Sequence, residues 1–419
     1  MNLFRIAIVT IGDEVLNGDT LNTNAQWLSS QCVRAGSIVV EQRTVADQPT
    51  SITAAIRELR QITNLVITTG GLGPTHDDHT VAAVADLFGD QLVLHQPTLE
   101  YLERCARERG RTMTERLRRQ AMVPRSARVL PNTIGTAPGL LFERSDGAAV
   151  MVLPGVPLEM MAIMQTSGLP AIATAIETGG YDVVAERIIV TAGVPESELA
   201  ERVEPLFEQL SDRIDVAFLP SDLTVRLRLR ARGSPEQTHV LLDTAIEKIK
   251  TAIGSAFVSD RNEKLVEILQ RECTQRSLTL AVAESCTGGM LGSEITSVPG
   301  SSAYFLGGLI CYSDAVKIYF GGVHPETIAL YGAVSRQTVE ELSQYVRSAY
   351  GADLGVAISG IAGPGGGSPE KPVGTVWIAV ADSQGVTARC FRFGENRATV
   401  RSRACAAALL MSLERVKSL

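Results

Sequence analysis

The sequence lacks most of what would mark a secreted, metal-knuckle or membrane protein. Its seven cysteines stand at 32, 105, 273, 286, 311, 390 and 405. Their number is odd and no two form C-x-x-C, so neither a disulfide framework nor a zinc knuckle is expected, and a reducing compartment is. The start, Met1-Asn-Leu-Phe-Arg5, runs straight into an apolar strand without the basic head, greasy stretch and small-residue cleavage site of a signal peptide. The longest uncharged stretch, Ile295 to Ser313, contains Pro299, Gly300, Gly307 and Gly308 and would make a poor membrane helix. The expectation is a cytoplasmic protein with no membrane partner. Excess positive charge is missing too. The formal charge of −7 argues against a mainly electrostatic nucleic-acid binder.

What is present is ordinary globular protein: 419 residues, 45% apolar and 20% charged. That length suggests two or three domains, each able to bury a core, and the apolar content excludes general disorder. Residues 1–172 alternate short apolar runs with amphipathic ones. Leu3–Ile11, Ile38–Val45, Leu65–Thr69, Leu140–Phe142 and Ala149–Leu153 read as strands, with helices over Asn24–Ala35, Pro49–Ile62 and Thr80–Phe88. This punctuation predicts an α/β domain with a parallel sheet, its ligands beyond the carboxyl ends of the strands. Residues 173–258 read as a small α+β domain: strands Val183–Thr191 and Leu223–Ala231, helices Glu196–Leu210 and Gln237–Ile253. Residues 259–419 read as a third domain, again α/β. Its strand Leu278–Glu284 is followed by glycine-rich turns, a strand pair Val373–Ala381 and Val386–Phe393, and a closing helix Ala398–Leu413.

A first group of candidate residues lies on a glycine turn, Thr69-Gly-Gly-Leu-Gly-Pro-Thr-His-Asp-Asp-His-Thr80. Gly70, Gly71 and Gly73 permit positive φ and close approach of backbone, so with Thr75 they can cradle phosphate oxygens. Asp77 and Asp78 follow where a phosphate would sit. A divalent cation would relieve the repulsion and polarise phosphorus. Asp13, Glu14 and Asp47 fall after the first two strands. Asp77 and Asp78 equally suit capping of the helix that begins at Thr80, and His76 and His79 suit either metal ligation or plain solvation.

The run Ile11-Gly-Asp-Glu-Val-Leu-Asn-Gly18, with residues 70–80 and Pro154-Gly-Val-Pro-Leu-Glu-Met160, resembles the N-terminal domain of the CinA family. That domain is similar to the molybdopterin-binding fold. The resemblance implies an ADP-ribose pyrophosphatase dependent on a divalent cation (Mg, Mn or Co), with Asp47, Asp77 and Asp78 as metal ligands and Asp13, Glu14 and Glu159 as secondary candidates. Two other readings of this domain stay open: a nucleotide- or pterin-binding sensor or competence-related module without catalysis, and a pterin adenylylating enzyme.

A second group centres on Ser285, at a strand-to-helix turn backed by Gly288 and Gly289. A serine there is exposed to backbone N–H groups that suit an oxyanion. The turn is not a G-x-S-x-G elbow, since Ala283 occupies the first glycine position. With five histidines in the chain and none in a strand-end motif of this domain, a histidine triad is unattractive. A lysine base is the alternative. Lysine in water has a pKa of about 10.4, so such a base must be buried enough to drop roughly three units. Lys317, followed by Ile318, Tyr319 and Phe320, is the candidate on the turn after the strand, with Tyr312 to hold it or relay its proton. A surface Lys317 and a core-edge Tyr312 are the plain alternatives. Cys286 is a rival nucleophile. Five glycines in the eight residues Gly360–Gly367, with Ser359 before them and Lys371 behind, suit an anion nest. Arg397 and Arg401, at i and i+4, suit either a phosphate clamp or a solvated helix face.

Ala283-Glu-Ser-Cys-Thr-Gly-Gly289, Pro299-Gly-Ser-Ser302, Tyr312 with Lys317, Gly332-Ala-Val-Ser335, Gly360-Ile-Ala-Gly-Pro-Gly365 and Lys371-Pro-Val-Gly-Thr375 together resemble the CinA C-terminal domain. That domain is similar to the stand-alone nicotinamide-nucleotide amidase. The resemblance implies hydrolysis of nicotinamide mononucleotide to nicotinate mononucleotide and ammonia. It assigns Ser285 as nucleophile, Lys317 as base and Tyr312 as its assistant. Substrate would meet Gly288, Gly289, Ser359, Gly360, Gly363, Gly365, Arg397 and Arg401. Ser359 stands where the family commonly has threonine. No cofactor is implied here, and a homodimer is. The alternating Val225-Arg-Leu-Arg-Leu-Arg-Ala-Arg232 puts four arginines on one face of a strand. It lacks interleaved aromatics or a G-x-x-G clamp, so no nucleic-acid partner is expected. By resemblance this piece is a KH-like linker domain.

Overall fold

The computed structural model describes residues 1–73, 79–110, 112–143, 147–210 and 212–419. The chain divides into two compact units. One comprises Met1–Glu186 with Ser211–Asp215 and Leu229–Ala245, the other Arg187–Leu210, Val216–Arg228 and Ile246–Leu419.

The first unit is built on a six-stranded sheet in the order Ile38–Val45, Arg5–Ile11, Leu65–Thr69, Ala149–Leu153, Gly139–Phe142, Arg128–Leu130. The first four strands are parallel and the last two pairings antiparallel. Leu65–Thr69 is buried at every residue, as a central parallel strand covered on both faces must be. Its alternating sides feed two cores, one with Ile6, Ile8, Leu28 and Ile67, the other with Ala7, Val9, Ile56 and Val66. The α/β reading with a parallel sheet holds.

In the second unit the sheet runs Phe305–Ile310, Leu280–Glu284, Leu354–Gly360, Thr375–Ala381, Val386–Arg392. The first three strands are parallel and the rest antiparallel. The last helix, Arg397–Ser418, and the helix Leu265–Arg276 cover one face through Val400, Leu409 and Leu269, and the helix Arg336–Tyr350 covers the other through Val339 and Leu342. Chain reversal occurs between Leu280–Glu284, which continues toward one edge of the sheet, and Leu354–Gly360, which continues toward the other. That point is where open α/β sheets place ligands.

Several sequence-based boundaries shift for local reasons. The helix expected over Glu196–Leu210 stops at Val203, because Pro205 cannot continue an α-helical ladder, and a 3₁₀ turn Glu204–Gln209 follows. The strand Ile214–Pro220 and the helices Gln96–Glu108 and Arg336–Tyr350 were not read from the sequence. Lys317 lies in a short helix, Asp314–Tyr319, rather than a turn, with Ser313 as its N-cap accepting the Val316 N–H. The arginine face of the strand Thr224–Gly233 is as expected: Val225, Leu227 and Leu229 are buried, while Arg230 pairs with Glu186 at 2.8 Å and Arg232 with Asp215 at 2.5 Å. No helix among the described residues is long and apolar enough to cross a membrane.

Gly70 ties the first sheet to its glycine turn. It has φ +115°, its N–H donates to the Leu153 carbonyl at 3.1 Å, and a Cβ there would stand 2.0 Å from the Ile11 carbonyl oxygen. Replacement Gly70→Ala is expected to destabilise the protein by about 2 kcal/mol or more, seen as a lower urea midpoint with unchanged m value.

Candidate functional sites at the strand ends

In the second unit, register brings the candidate residues together. Glu284 pairs with Ile310 on one side and Ile358 on the other, so the next residues, Ser285, Cys311 and Ser359, stand abreast at the sheet's carboxyl edge. Two hydrogen bonds extend the ladder: Ser285 N–H to the Ile358 carbonyl at 3.0 Å and Cys311 N–H to the Glu284 carbonyl at 2.8 Å.

The turn after Ser285 is held from two sides. Glu284, 1% exposed, accepts the N–H groups of Gly289 (3.0 Å), Leu291 (3.1 Å) and Gly292 (2.8 Å). A carboxylate saturated by main-chain donors at a helix N-terminus is a strong, charge-assisted arrangement. From the other side Arg401 Nη2 donates to the Thr287 carbonyl at 2.7 Å. Gly288 and Gly289, at φ +61° and +93°, supply the left-handed backbone this turn needs. The Thr287 N–H meets no acceptor among the described residues, and the Thr287 hydroxyl oxygen is buried without a partner.

Lys317 is 1% exposed. Its Nζ donates to the Tyr312 carbonyl at 3.1 Å and lies 3.9 Å from Asp314 Oδ1. The expected source of its burial is corrected: Tyr319 and Phe320 are 79% and 63% exposed. The lysine is instead enclosed by its own position in the helix Asp314–Tyr319, which turns it back under the strand exit. Tyr312 holds the lysine through its carbonyl. Its side chain, 60% exposed, accepts from Arg397 Nη2 at 3.3 Å.

The remaining candidates are tied in place. Arg397 Nη1 donates to the Gly363 carbonyl at 2.8 Å, closing the glycine loop. Lys371 donates to the Tyr331 carbonyl at 2.6 Å. Ser359, buried, donates to the Ala333 carbonyl at 2.7 Å. Gly360 ends its strand, with Gly365 in the loop beyond. Arg401, read as half of a phosphate clamp, also serves the Ser285 turn. Cys286 is buried, and burial pushes its thiol up to about 11, with Glu284 raising it and Lys317 and Arg401 opposing.

In the first unit, Thr69 ends its strand and Gly70, Gly71 and Gly73 follow. Asp47 Oδ2 accepts the Asp13 N–H at 3.1 Å, and a Cβ on Gly71 would stand 3.5 Å from Asp47 Oδ1. The Glu14 carboxylate folds back over Gly12. Asp13, Glu14 and Asp47 thus share one corner beside the glycine turn. Thr75, His76, Asp77 and Asp78 lie outside the described residues. His79 is exposed at the helix start without a side-chain cap bond. Glu159 belongs elsewhere, accepting from Asn132 Nδ2 at 2.6 Å. Among the described residues no three His, Cys, Asp or Glu side chains gather as a metal-holding group.

Two residues were missed by sequence reasoning. Glu284 was quoted in a motif without a role; a carboxylate ending a wholly apolar strand was the signal. Asn24 lies on the buried face of its helix. Its Nδ2 donates to Thr69 Oγ1 at 3.0 Å and to the Gly155 carbonyl at 2.8 Å, joining two strand ends.

Glu284→Ala is expected to lower stability by at least about 2 kcal/mol, because three N–H groups lose their acceptor, measured by urea unfolding. Cys286, acidic only near 11, stays a neutral thiol throughout pH 6–9. A thiol-reactive dye at pH 8 is therefore expected to label Cys390, which is exposed, and to leave Cys286 unlabelled in the folded protein; fast labelling of Cys286 would contradict this.

Comparison with known proteins bears on the whole chain. The CinA C-terminal domain matches residues 262–416, a probable molybdopterin binding domain 7–174, and the damage-inducible protein CinA KH domain 186–258. A CinA-like protein of Gemmatimonas aurantiaca is 41% identical over 406 residues, covering 96% of this chain and 94% of its own. A CinA-like protein of Rippkaea orientalis is 38% identical over 392 residues, covering 93% of each. Among solved structures, the protein CinA of Thermoplasma acidophilum is 34% identical over 41% of this chain and 99% of its own, with a TM-score of 0.38. The chain belongs to the CinA family, with a molybdopterin-binding-like domain first, a KH domain between and a CinA C-terminal domain last.

Proposed function

We propose that the C-terminal domain hydrolyses the carboxamide of nicotinamide mononucleotide through an acyl-enzyme on Ser285. The observation that carries this reading is the enclosed amine of Lys317, anchored by the Tyr312 carbonyl beside the strand-end turn. Lys317 accepts the Ser285 hydroxyl proton as Oγ bonds to the amide carbon, and delivers it to the departing nitrogen, which leaves as ammonia. Water then attacks the ester, Lys317 again taking a proton, and nicotinate mononucleotide is released with the serine restored. The unengaged Thr287 N–H, held by the Glu284 and Arg401 contacts to its turn, is the donor for the developing oxyanion. Ser359, the Gly360–Gly367 loop, Arg397 and Arg401 surround the nucleotide's phosphate. Cys286 is a poor nucleophile because burial keeps it protonated.

For the N-terminal domain the proposal is cleavage of ADP-ribose to AMP and ribose 5-phosphate with a divalent cation. Oxygen donors suit a hard cation, and Asp47 and Glu14 stand at adjacent strand ends, with Asp77 and Asp78 to complete the set. The cation would polarise phosphorus; Gly70, Gly71, Gly73 and Thr75 would orient the phosphates. Both reactions are assigned to the cytoplasm, consistent with seven free cysteines.

Purified protein given nicotinamide mononucleotide is expected to release ammonia, with Ser285→Ala and Lys317→Met each slower by about a thousandfold or more and Cys286→Ala near wild type. Activity surviving in Ser285→Ala but lost in Cys286→Ala would overturn the serine assignment. ADP-ribose is expected to yield AMP only with divalent cation, and Asp47→Asn to cut kcat at least about tenfold. Tight binding of ADP-ribose with no product would instead favour the sensor reading.

A further inference from the structure

A cavity of about 410 Å³ opens in the first unit directly beside the glycine turn. Gly71, Leu72 and Gly73 form one side, and the short helix Glu115–Arg119 contributes Arg116 and Arg119 to the other. Residues three apart share a helix face, so these two guanidinium groups look into the cavity together, whereas Arg118 does not line it. Among the described residues neither Arg116 nor Arg119 forms an ion pair. In a chain of net charge −7, two arginines left unneutralised on a cavity wall mark a place for an anion. The rest of the lining is apolar, with Leu72, Leu92, Met122 and Pro138. A ligand satisfying both halves bears phosphate at one end and a flat, weakly polar ring at the other.

We propose that this cavity is a nucleoside-phosphate site in which Arg116 and Arg119 bind the phosphate of the AMP half of the substrate while its base lies against the apolar wall. The proposal rests on the pyrophosphatase reading in naming ADP-ribose. The cavity's affinity for AMP is a separate matter that can be measured without turnover. Asp47 adjoins Gly71, on the same side of the cavity as the reacting phosphates would be. The arginines are thus binding residues, and their loss falls on affinity rather than on the chemical step.

The test is calorimetric titration of AMP and of adenosine into the full-length protein. Wild type is expected to bind AMP and to bind adenosine more weakly. Arg116→Ala and Arg119→Ala should each weaken AMP binding about tenfold, the size of one lost charge-assisted hydrogen bond, leaving adenosine binding unchanged. Arg119→Lys should recover part of the loss. Arg118→Ala removes the same charge from the same helix away from the cavity and should bind AMP as wild type does. These side chains are exposed, so urea midpoints should not move. In turnover, the KM for ADP-ribose should rise about tenfold in either variant with kcat within about threefold. AMP binding that is absent in wild type, unaffected by the double variant Arg116→Ala/Arg119→Ala, or weakened equally by Arg118→Ala would overturn the proposal. Wild-type binding of AMP that depends on Arg116 and Arg119 without any cleavage of ADP-ribose would support the site and remove only the pyrophosphatase reading.

Discussion

The enclosure of one amine governs the C-terminal domain. A lysine withdrawn from water is unfavourable unless its surroundings repay it, and here the described partners are one carbonyl, that of Tyr312 at 3.1 Å, with Asp314 more distant at 3.9 Å. Such a placement has little to recommend it as a stabilising device. It persists because the helix Asp314–Tyr319 begins where the strand Phe305–Ile310 ends, and its Ser313 cap fixes the first turn. The same strand exit delivers Tyr312, whose hydroxyl meets Arg397 from the final helix. One short connection therefore joins the buried amine, the phosphate-facing arginine and the sheet edge.

The Ser285 turn depends on a second buried charge. Glu284 and Lys317 are both 1% exposed and of opposite sign, yet neither neutralises the other by direct contact; each has its own main-chain partners. Glu284 spends its oxygens on three N–H groups of the helix start, while Arg401 holds the Thr287 carbonyl. The outcome is a turn whose direction is set by side chains outside it. The first unit solves a related problem without charge: Asn24 and Thr69 join the ends of two parallel strands. Both sheets then present their reactive residues at a carboxyl edge where strand connections diverge.

Much of this was legible in the sequence. Alternation of apolar runs with amphipathic ones gave the α/β architecture, and glycine clusters after strands marked both edges. What was not legible depended on tertiary enclosure. Lys317 was expected to be buried by Tyr319 and Phe320, but those aromatics face solvent and the helix geometry alone encloses the amine. The hydroxyl of Tyr312 was expected to hold the lysine, a task its carbonyl performs. The i, i+4 spacing of Arg397 and Arg401 correctly put them on one face, yet could not tell that Arg401 reaches the turn behind Ser285 across 114 residues of sequence. Arg116 and Arg119 passed unremarked because they lie amid a run of charged residues, and only a cavity distinguishes them from Arg118.

The central claim is that Ser285 is acylated with Lys317 as its base. Rapid acid quench of the wild-type protein with nicotinamide mononucleotide, followed by mass spectrometry of its peptides, tests this directly. The account predicts a transient adduct of the nicotinate mononucleotide acyl group on the peptide carrying Ser285, mapped to the serine and missing when Lys317 is replaced by methionine. An adduct on Cys286, or an unmodified peptide throughout steady ammonia release, would contradict it.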